Sequence, residues 1–227
     1  MKKRRNHVTM PGKRVRRRQR AQIRRMQKQI DALRNRLCAD IAVPVKTGAE
    51  APSAAMIYSS ELSAIQRHVL QYPNLETGGE LYGWYSETGL PIIAFATGPG
   101  TNATHGATRF RADEQYSMAI GRNMVNNGLQ NVGSWHSHHK LSLAQPSGID
   151  CGVMQASLSG HDSPLRRFIC GIANIVGEKV TFNAYYFSSE SGLNYSRVPI
   201  VVREWESPVR IGLNKVLGPF EQEGDVI

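Results

Sequence analysis

Residues 133–150 read GSWHSHHKLSLAQPSGID, a stretch with three histidines and an aspartate at spacings that suit a metal site. Gln130 to Trp135 enters it as a short strand, and along a strand successive side chains point to opposite faces. His136 and His138 then share a face, while Ser137 and His139 point away. Two imidazoles on one face chelate a single divalent ion. A catalytic zinc asks for a third protein ligand and keeps its fourth position for water. Asp150 supplies that ligand: Ser147 is a natural N-cap, which puts Asp150 in the first helical turn, where the positive end of the helix dipole keeps a carboxylate ionised. Taken singly, each piece has a plain structural reading. A lone histidine is a hydrogen-bonded structural residue, and S-x-x-D before a helix is a capping box. H-S-H on a strand followed by P-S-x-x-D at a helix start is more specific, because the parts of a three-ligand site arrive in the right structural contexts.

Hydrolysis at such a metal also needs a general base, to take a proton from water and deliver it to the leaving amine. Two carboxylates compete in ETGGELYG, residues 76–83. Glu76 stands between a helix and a strand, ahead of two glycines that permit close backbone approach. Glu80 falls inside the strand, where a solvent-facing place explains it. Glu76 is the preferred base, since a carboxylate at the end of an element can reach a neighbouring strand's metal.

The elements that must position these residues follow from periodicity. Ser59 or Ser60 caps a helix with Leu62, Ile65, Val69 and Leu70 at helical spacing, closed by Pro73. Two apolar strands, 79–85 and 91–97, are joined by a Glu-Thr-Gly turn, with Pro91 at a strand start or edge. Asp113 caps a second helix through Tyr116, Ile120, Met124 and Val125, stopped by Gly128. The loop 98–110 between them is a polar connection flanking the site, and its His105 receives no role. A helix starts at Ser147, and RRFICGIANIV, KVTFNAYYF and RVPIVVREW each read as a further strand. The order implies an α/β (α+β) chain, a mixed sheet with helices against it and no internal repeat.

The chain has 227 residues and is 41% hydrophobic, enough for one buried domain with extensions. Its divisions are a basic leader and helix at 1–41, a Pro/Gly/Ala linker at 42–55, a catalytic domain at 56–205 and a C-terminal extension at 206–227. Residues 1–40 hold 15 of the 28 Lys and Arg against only Asp31 and Asp40, a balance of +13, which leaves −3 for the remainder. Basicity therefore belongs to the N-terminal segment. There Ile23, Met26, Ile30, Leu33 and Leu37 form a narrow apolar stripe on a basic helix. That pattern suits a seam with a partner helix, contact of residues 1–37 with nucleic acid or an acidic protein, or a solvated tail. Few aromatics interleave its arginines, which argues against a base-stacking platform. No stretch approaches the roughly 18–20 apolar residues that span a bilayer, and the N-terminus lacks the apolar core of a secretory signal, so a cytoplasmic protein with no membrane partner is expected. Cys38, Cys151 and Cys170 are widely separated and odd in number, as reduced thiols would be.

A helix, then E-T-G-G opening a strand, then G-x-W-H-S-H, then P-S-x-x-D opening a helix resembles the JAMM (JAB, MPN+) family of zinc metalloproteases, of the bacterial stand-alone type, over roughly residues 56–175. The resemblance implies a curved mixed sheet of the cytidine-deaminase-like kind and zinc held by His136, His138 and Asp150 with water fourth. It implies Glu76 as acid and base, and Ser147 as a stabiliser of the tetrahedral oxyanion. The activity it implies is hydrolysis of isopeptide or peptide bonds after the C-terminal glycine of ubiquitin-like proteins, with ubiquitin-activating and ubiquitin-conjugating homologues as companions. Two departures stand out. His139 occupies the place of the family's usual proline, and residues 139–149 make the span between the second histidine and the aspartate one longer than usual. Counting from His139 would pair His136 with a residue on the opposite strand face, so the loop is read as one residue longer. His139 is then a loop residue, with a substrate contact or spare ligand as alternatives. Two other functions compete: a non-catalytic MPN scaffold and a RadC-like nucleic-acid-associated protein. Scaffold members generally lack parts of the metal motif, and RadC-like chains usually carry H-N-H-P. Ser137 with E-T-G-G fits the deubiquitinase-like branch better.

Overall fold

The computed structural model describes residues 51–138, 143–159, 165–189 and 194–217. Residues 1–50, which include the expected basic helix and positions 42–50 of the linker, lie outside them, as do His139 and residues 218–227. A buried strand β1 (Ala55–Tyr58) leads directly into α1 (Ser59–Gln71), followed by β2 (Gly78–Tyr85) and β3 (Pro91–Ala96). A small hairpin, β4 (Thr104–His105) and β5 (Phe110–Arg111), precedes α2 (Glu114–Asn126) and β6 (Gln130–Ser137). Then come α3 (Gly148–Ser159), β7 (Arg167–Val176), β8 (Lys179–Ser188), β9 (Ser196–Val198), β10 (Ile200–Arg203) and α4 (Pro208–Leu217).

Eight strands form one mixed sheet in the order β10-β1-β3-β2-β6-β7-β8-β9. Its two edge strands are β9 and β10, and only Pro199 separates them. Edges joined by one residue force the sheet to curl until it is nearly closed, which accounts for the curved mixed sheet expected above. Pro199 also explains why RVPIVVREW is two strands: lacking an N–H it cannot continue a ladder, and its carbonyl instead accepts from Ala55 N–H at 2.8 Å.

Helices cover both faces. On β7, Ile169 and Ala173 join a core with Ile65 and Val69 of α1, whereas Phe168, Cys170 and Ile172 meet Met154 and Leu158 of α3. That alternation places α1 and α3 on opposite sides of a strand buried on both faces. Two details of α1 differ from the sequence expectation. Because β1 runs straight into α1, the strand residue Tyr58 is the N-cap and makes no side-chain cap bond, while the Ser60 hydroxyl donates to Glu61 Oε1 at 2.8 Å. Leu70 is 55% exposed, since neighbouring Val69 takes the inward row. In α2, Asp113 caps as expected, accepting from the Gln115 and Tyr116 N–H groups, and Gly128 at φ +81° ends the helix. Ile120 and Met124 are buried, whereas Val125 faces outward.

The segment read as a C-terminal extension begins with a helix tied into the domain. Arg210 of α4 makes a two-pronged pair with fully buried Glu61, Nε to Oε1 at 2.8 Å and Nη2 to Oε2 at 2.6 Å, and Glu61 Oε2 also accepts from Ala96 N–H at 2.9 Å. The Ser207 hydroxyl donates to the Ala94 carbonyl. Among the described residues, no helix is long and apolar enough to cross a membrane.

Candidate metal centre

Strand β6 runs antiparallel to β2 on one side and parallel to β7 on the other, and the crossover to β7 passes through α3. The N-terminus of α3 thus returns over the carboxyl end of β6, where His136 and His138 sit. His138 lies one residue beyond the strand and prolongs the parallel pairing, its N–H donating to the Ala173 carbonyl at 2.9 Å. On the other side Gly78 stands opposite His136. One pair further, Ser137 N–H donates to the Thr77 carbonyl at 2.8 Å and Thr77 N–H donates to Ser137 Oγ at 3.0 Å. Continuing that register puts Glu76 against His138, on the face that Gly78 and His136 share. The glycines of E-T-G-G are steric necessities. A Cβ at Gly78 would run into the Trp135 carbonyl and stand 2.8 Å from the Phe110 ring, and one at Gly79 would collide with the Thr97 carbonyl.

His136, His138 and Asp150 converge so that one ligand atom from each lies within 4.8 Å of the others. His136 Nε2 is 3.2 Å from Asp150 Oδ1, His138 Nε2 is 3.4 Å from Asp150 Oδ2, and the two Nε2 atoms are 2.9 Å apart. Tetrahedral zinc about 2.0–2.2 Å from nitrogen and oxygen donors sets them roughly 3.3–3.5 Å apart, so the residues fit the ion with small adjustments. The tautomer also fits. His138 Nδ1 faces the Leu143 carbonyl at 3.2 Å, which can only accept, so Nδ1 carries the proton and Nε2 offers its lone pair to the cluster.

Asp150 serves two purposes. Its Oδ2 accepts from Ser147 N–H at 2.6 Å and its own N–H donates to Ser147 Oγ at 3.3 Å, a reciprocal capping box at the start of α3. The capping reading and the metal reading therefore describe the same residues. Burial opposes ionisation of Asp150, but hydrogen bonds with His136 and His138 outweigh it and hold the carboxyl well below the usual range. Burial likewise disfavours the His138 imidazolium, and the Asp150 carboxylate overrides it and moves that pKa up. For Glu76 the order is reversed. Burial is the largest effect and raises its pKa, the His138 and His136 imidazoles pull it back, and Asp150 adds to the rise. Burial thus favours the protonated form of Glu76 beside a cluster that keeps Asp150 ionised.

The other sequence candidates resolve differently. Glu80, the third residue of β2, accepts from Asn131 Nδ2 at 2.8 Å and is not part of the cluster. Asn174 was not anticipated. Its Nδ2 donates to the His138 carbonyl at 2.7 Å and to the Leu143 carbonyl at 3.0 Å, clamping together the two ends of the loop that carries the extra residue. The available signal was one amide inside the otherwise apolar run FICGIANIV.

The model of the prokaryotic homologs of the JAB domain matches residues 59–185. A relative from Sinorhizobium fredii described as "Probable metalloprotease y4qB" is 23% identical over 127 residues, 53% of this chain and 77% of the relative. Among solved structures, the solution structure of protein DSY2949 from Desulfitobacterium hafniense superposes with a TM-score of 0.52 at 16% identity, covering 67% of this chain and 94% of that one, which is a likeness of fold. With the E-T-G-G strand, the H-S-H strand end and the capped aspartate all inside the matched span, the chain belongs to the family of prokaryotic JAB-domain proteins.

Proposed function

We propose that this chain is a zinc metallopeptidase that cleaves isopeptide or peptide bonds after the C-terminal glycine of ubiquitin-like proteins. Family membership and the metalloprotease-like relative support a metallopeptidase-like function, and the convergence of His136, His138 and Asp150 beside the buried Glu76 carries the finer reading. Held by those three residues, zinc would polarise the scissile carbonyl and lower the pKa of a water to about 7. Glu76 takes the proton of the attacking water and returns it to the leaving amine, a shuttle for which its elevated pKa suits it. Ser147, at the N-terminus of α3, would offer its hydroxyl, with the helix dipole behind it, to negative charge on the developing oxyanion. Asp150 holds His136 and His138 in place while it binds, and Asn174 fixes the His138 backbone.

The test is to incubate the purified chain, with zinc or with a chelator, against ubiquitin-like proteins extended past their terminal glycine and against an unrelated peptide. Cleavage confined to the glycine junction and abolished by chelator is expected. Cleavage of the unrelated peptide alone, or chelator-insensitive cleavage, contradicts the proposal. The proposal includes a cytoplasmic setting alongside ubiquitin-activating and ubiquitin-conjugating homologues. The +13 balance of residues 1–40 favours a second, separate role for residues 1–37 as a contact for nucleic acid or an acidic partner. Binding through it would weaken steeply with salt and vanish on deleting 1–40.

A further inference from the structure

Glu76 belongs to no helix or strand, yet its peptide is held at both ends by one small device. Its N–H donates to the Gly106 carbonyl at 2.7 Å, and its carbonyl accepts from His105 Nδ1 at 3.0 Å. His105 and Gly106 are consecutive residues of the β4–β5 hairpin, which is closed by Gly106 N–H to the Arg109 carbonyl at 2.9 Å and by pairing of His105 with Phe110. The His105 ring stacks on Tyr72, at the end of α1, with centroids 3.8 Å apart and planes 9° from parallel, and leans on Phe110 at 5.6 Å. Phe110 in turn occupies the space that a side chain at Gly78 would need. The hairpin thus touches α1, the Glu76 peptide and the first residue of β2 together.

A carbonyl cannot donate, so Nδ1 carries the His105 proton. That leaves Nε2 as an acceptor, and it is buried without a hydrogen-bond partner. An unpaired buried nitrogen works against stability, and phenylalanine would supply the same stacked ring without it. What histidine adds is the Nδ1–H on the Glu76 carbonyl. We infer that His105 is a positioning residue: through that bond it fixes the Glu76 peptide between α1 and β2, so that the Glu76 carboxylate is presented to the His136, His138 and Asp150 cluster. This rests on Glu76 being the base. Proton transfer is sensitive to sub-ångström placement, and misplacement of about 1 Å lowers turnover on the order of a hundredfold.

The test uses the full chain and two variants that divide the histidine. His105→Phe keeps the ring on Tyr72 and removes the donor; His105→Asn keeps a donor near the Nδ1 position and removes the ring. For His105→Phe, kcat should fall roughly 10- to 100-fold, with KM and zinc content unchanged. His105→Asn should recover most of that loss despite the missing stack. In a Glu76→Gln background, His105→Phe should cause no further loss, because the residue acts through Glu76. A second readout needs no turnover. Amide hydrogen exchange of residues 74–80 in the metal-free chain should quicken about tenfold or more in His105→Phe and little in His105→Asn. Turnover of His105→Phe within twofold of the parent, an equal loss in the Glu76→Gln background, or loss of zinc would overturn the assignment. If the parent chain cleaves nothing, the functional reading fails by itself, and exchange still decides on His105: unchanged exchange in His105→Phe overturns it.

Discussion

Replacing Glu76 by glutamine keeps the shape of the side chain and removes only its charge and its capacity to carry a proton. Positioned acid–base groups contribute about 10²- to 10⁴-fold to rate, roughly 3–5 kcal/mol of barrier, and kcat should fall by that factor with zinc content unchanged. The effect on folding has the opposite sign. Burial is the main influence on Glu76 and raises its pKa in the folded chain. A carboxyl with a raised folded pKa binds more protons folded than unfolded, so its ionised form weakens the fold as pH rises. In metal-free protein at pH 7, Glu76→Gln should therefore be as stable as the parent or more so. That advantage should disappear below about pH 4, where the side chain is protonated in both states. Turnover of a glycine-junction reporter, zinc by mass spectrometry and urea unfolding at both pH values check the three parts. A variant that turns over within threefold of the parent refutes Glu76 as the base, and one that loses its zinc shows that the residue supports the metal instead.

Asn174→Ala removes both donors that clamp the His138 and Leu143 carbonyls. Zinc affinity, measured against a competing chelator, should fall roughly 10- to 100-fold, and unchanged affinity would show that the loop needs no clamp. Arg210→Met leaves the fully buried Glu61 without its cation. Urea unfolding should show a loss of about 3–5 kcal/mol, whereas a loss below about 1 kcal/mol would mean that α4 is not part of the cooperative unit. Hydrogen bonds from the Tyr116 and Asn102 N–H groups, the largest influences on Asp113, lower its pKa. Its contribution is therefore present above the ordinary carboxylate value and lost as pH falls through the depressed one. The stability deficit of Asp113→Ala, measured in metal-free protein by thermal unfolding, should shrink as pH is taken from 7 to below about 4, and a deficit that grows would contradict that sign.

The convergence of His136, His138 and Asp150 was legible because it was written locally. H-S-H at a strand end and S-x-x-D at a helix start each fix a direction for their side chains through the backbone, so three ligand atoms could be predicted to converge before any tertiary contact was known. The two glycines after Glu76 carried a similar message, and the structure supplies its cause in the Trp135 and Thr97 carbonyls. What stayed hidden depends on partners distant in sequence. β4 and β5 are two residues each, too short for any alternation to appear, so His105 read as a polar loop residue. β1, expected only as the start of the domain near Met56, is a strand because β10 and β3 flank it. Arg210 looks like an ordinary surface arginine until α4 brings it to Glu61, 149 residues earlier. Asn174 becomes meaningful only once His138 and Leu143 are seen at its two ends.

Zinc content of the purified chain, measured beside His138→Ala and His139→Ala, tests the metal centre most directly. Near-stoichiometric zinc in the parent and in His139→Ala, lost in His138→Ala, is the expected result. A parent chain that binds no zinc, or one that loses it only with His139→Ala, would contradict the assignment of His136, His138 and Asp150 as the ligands.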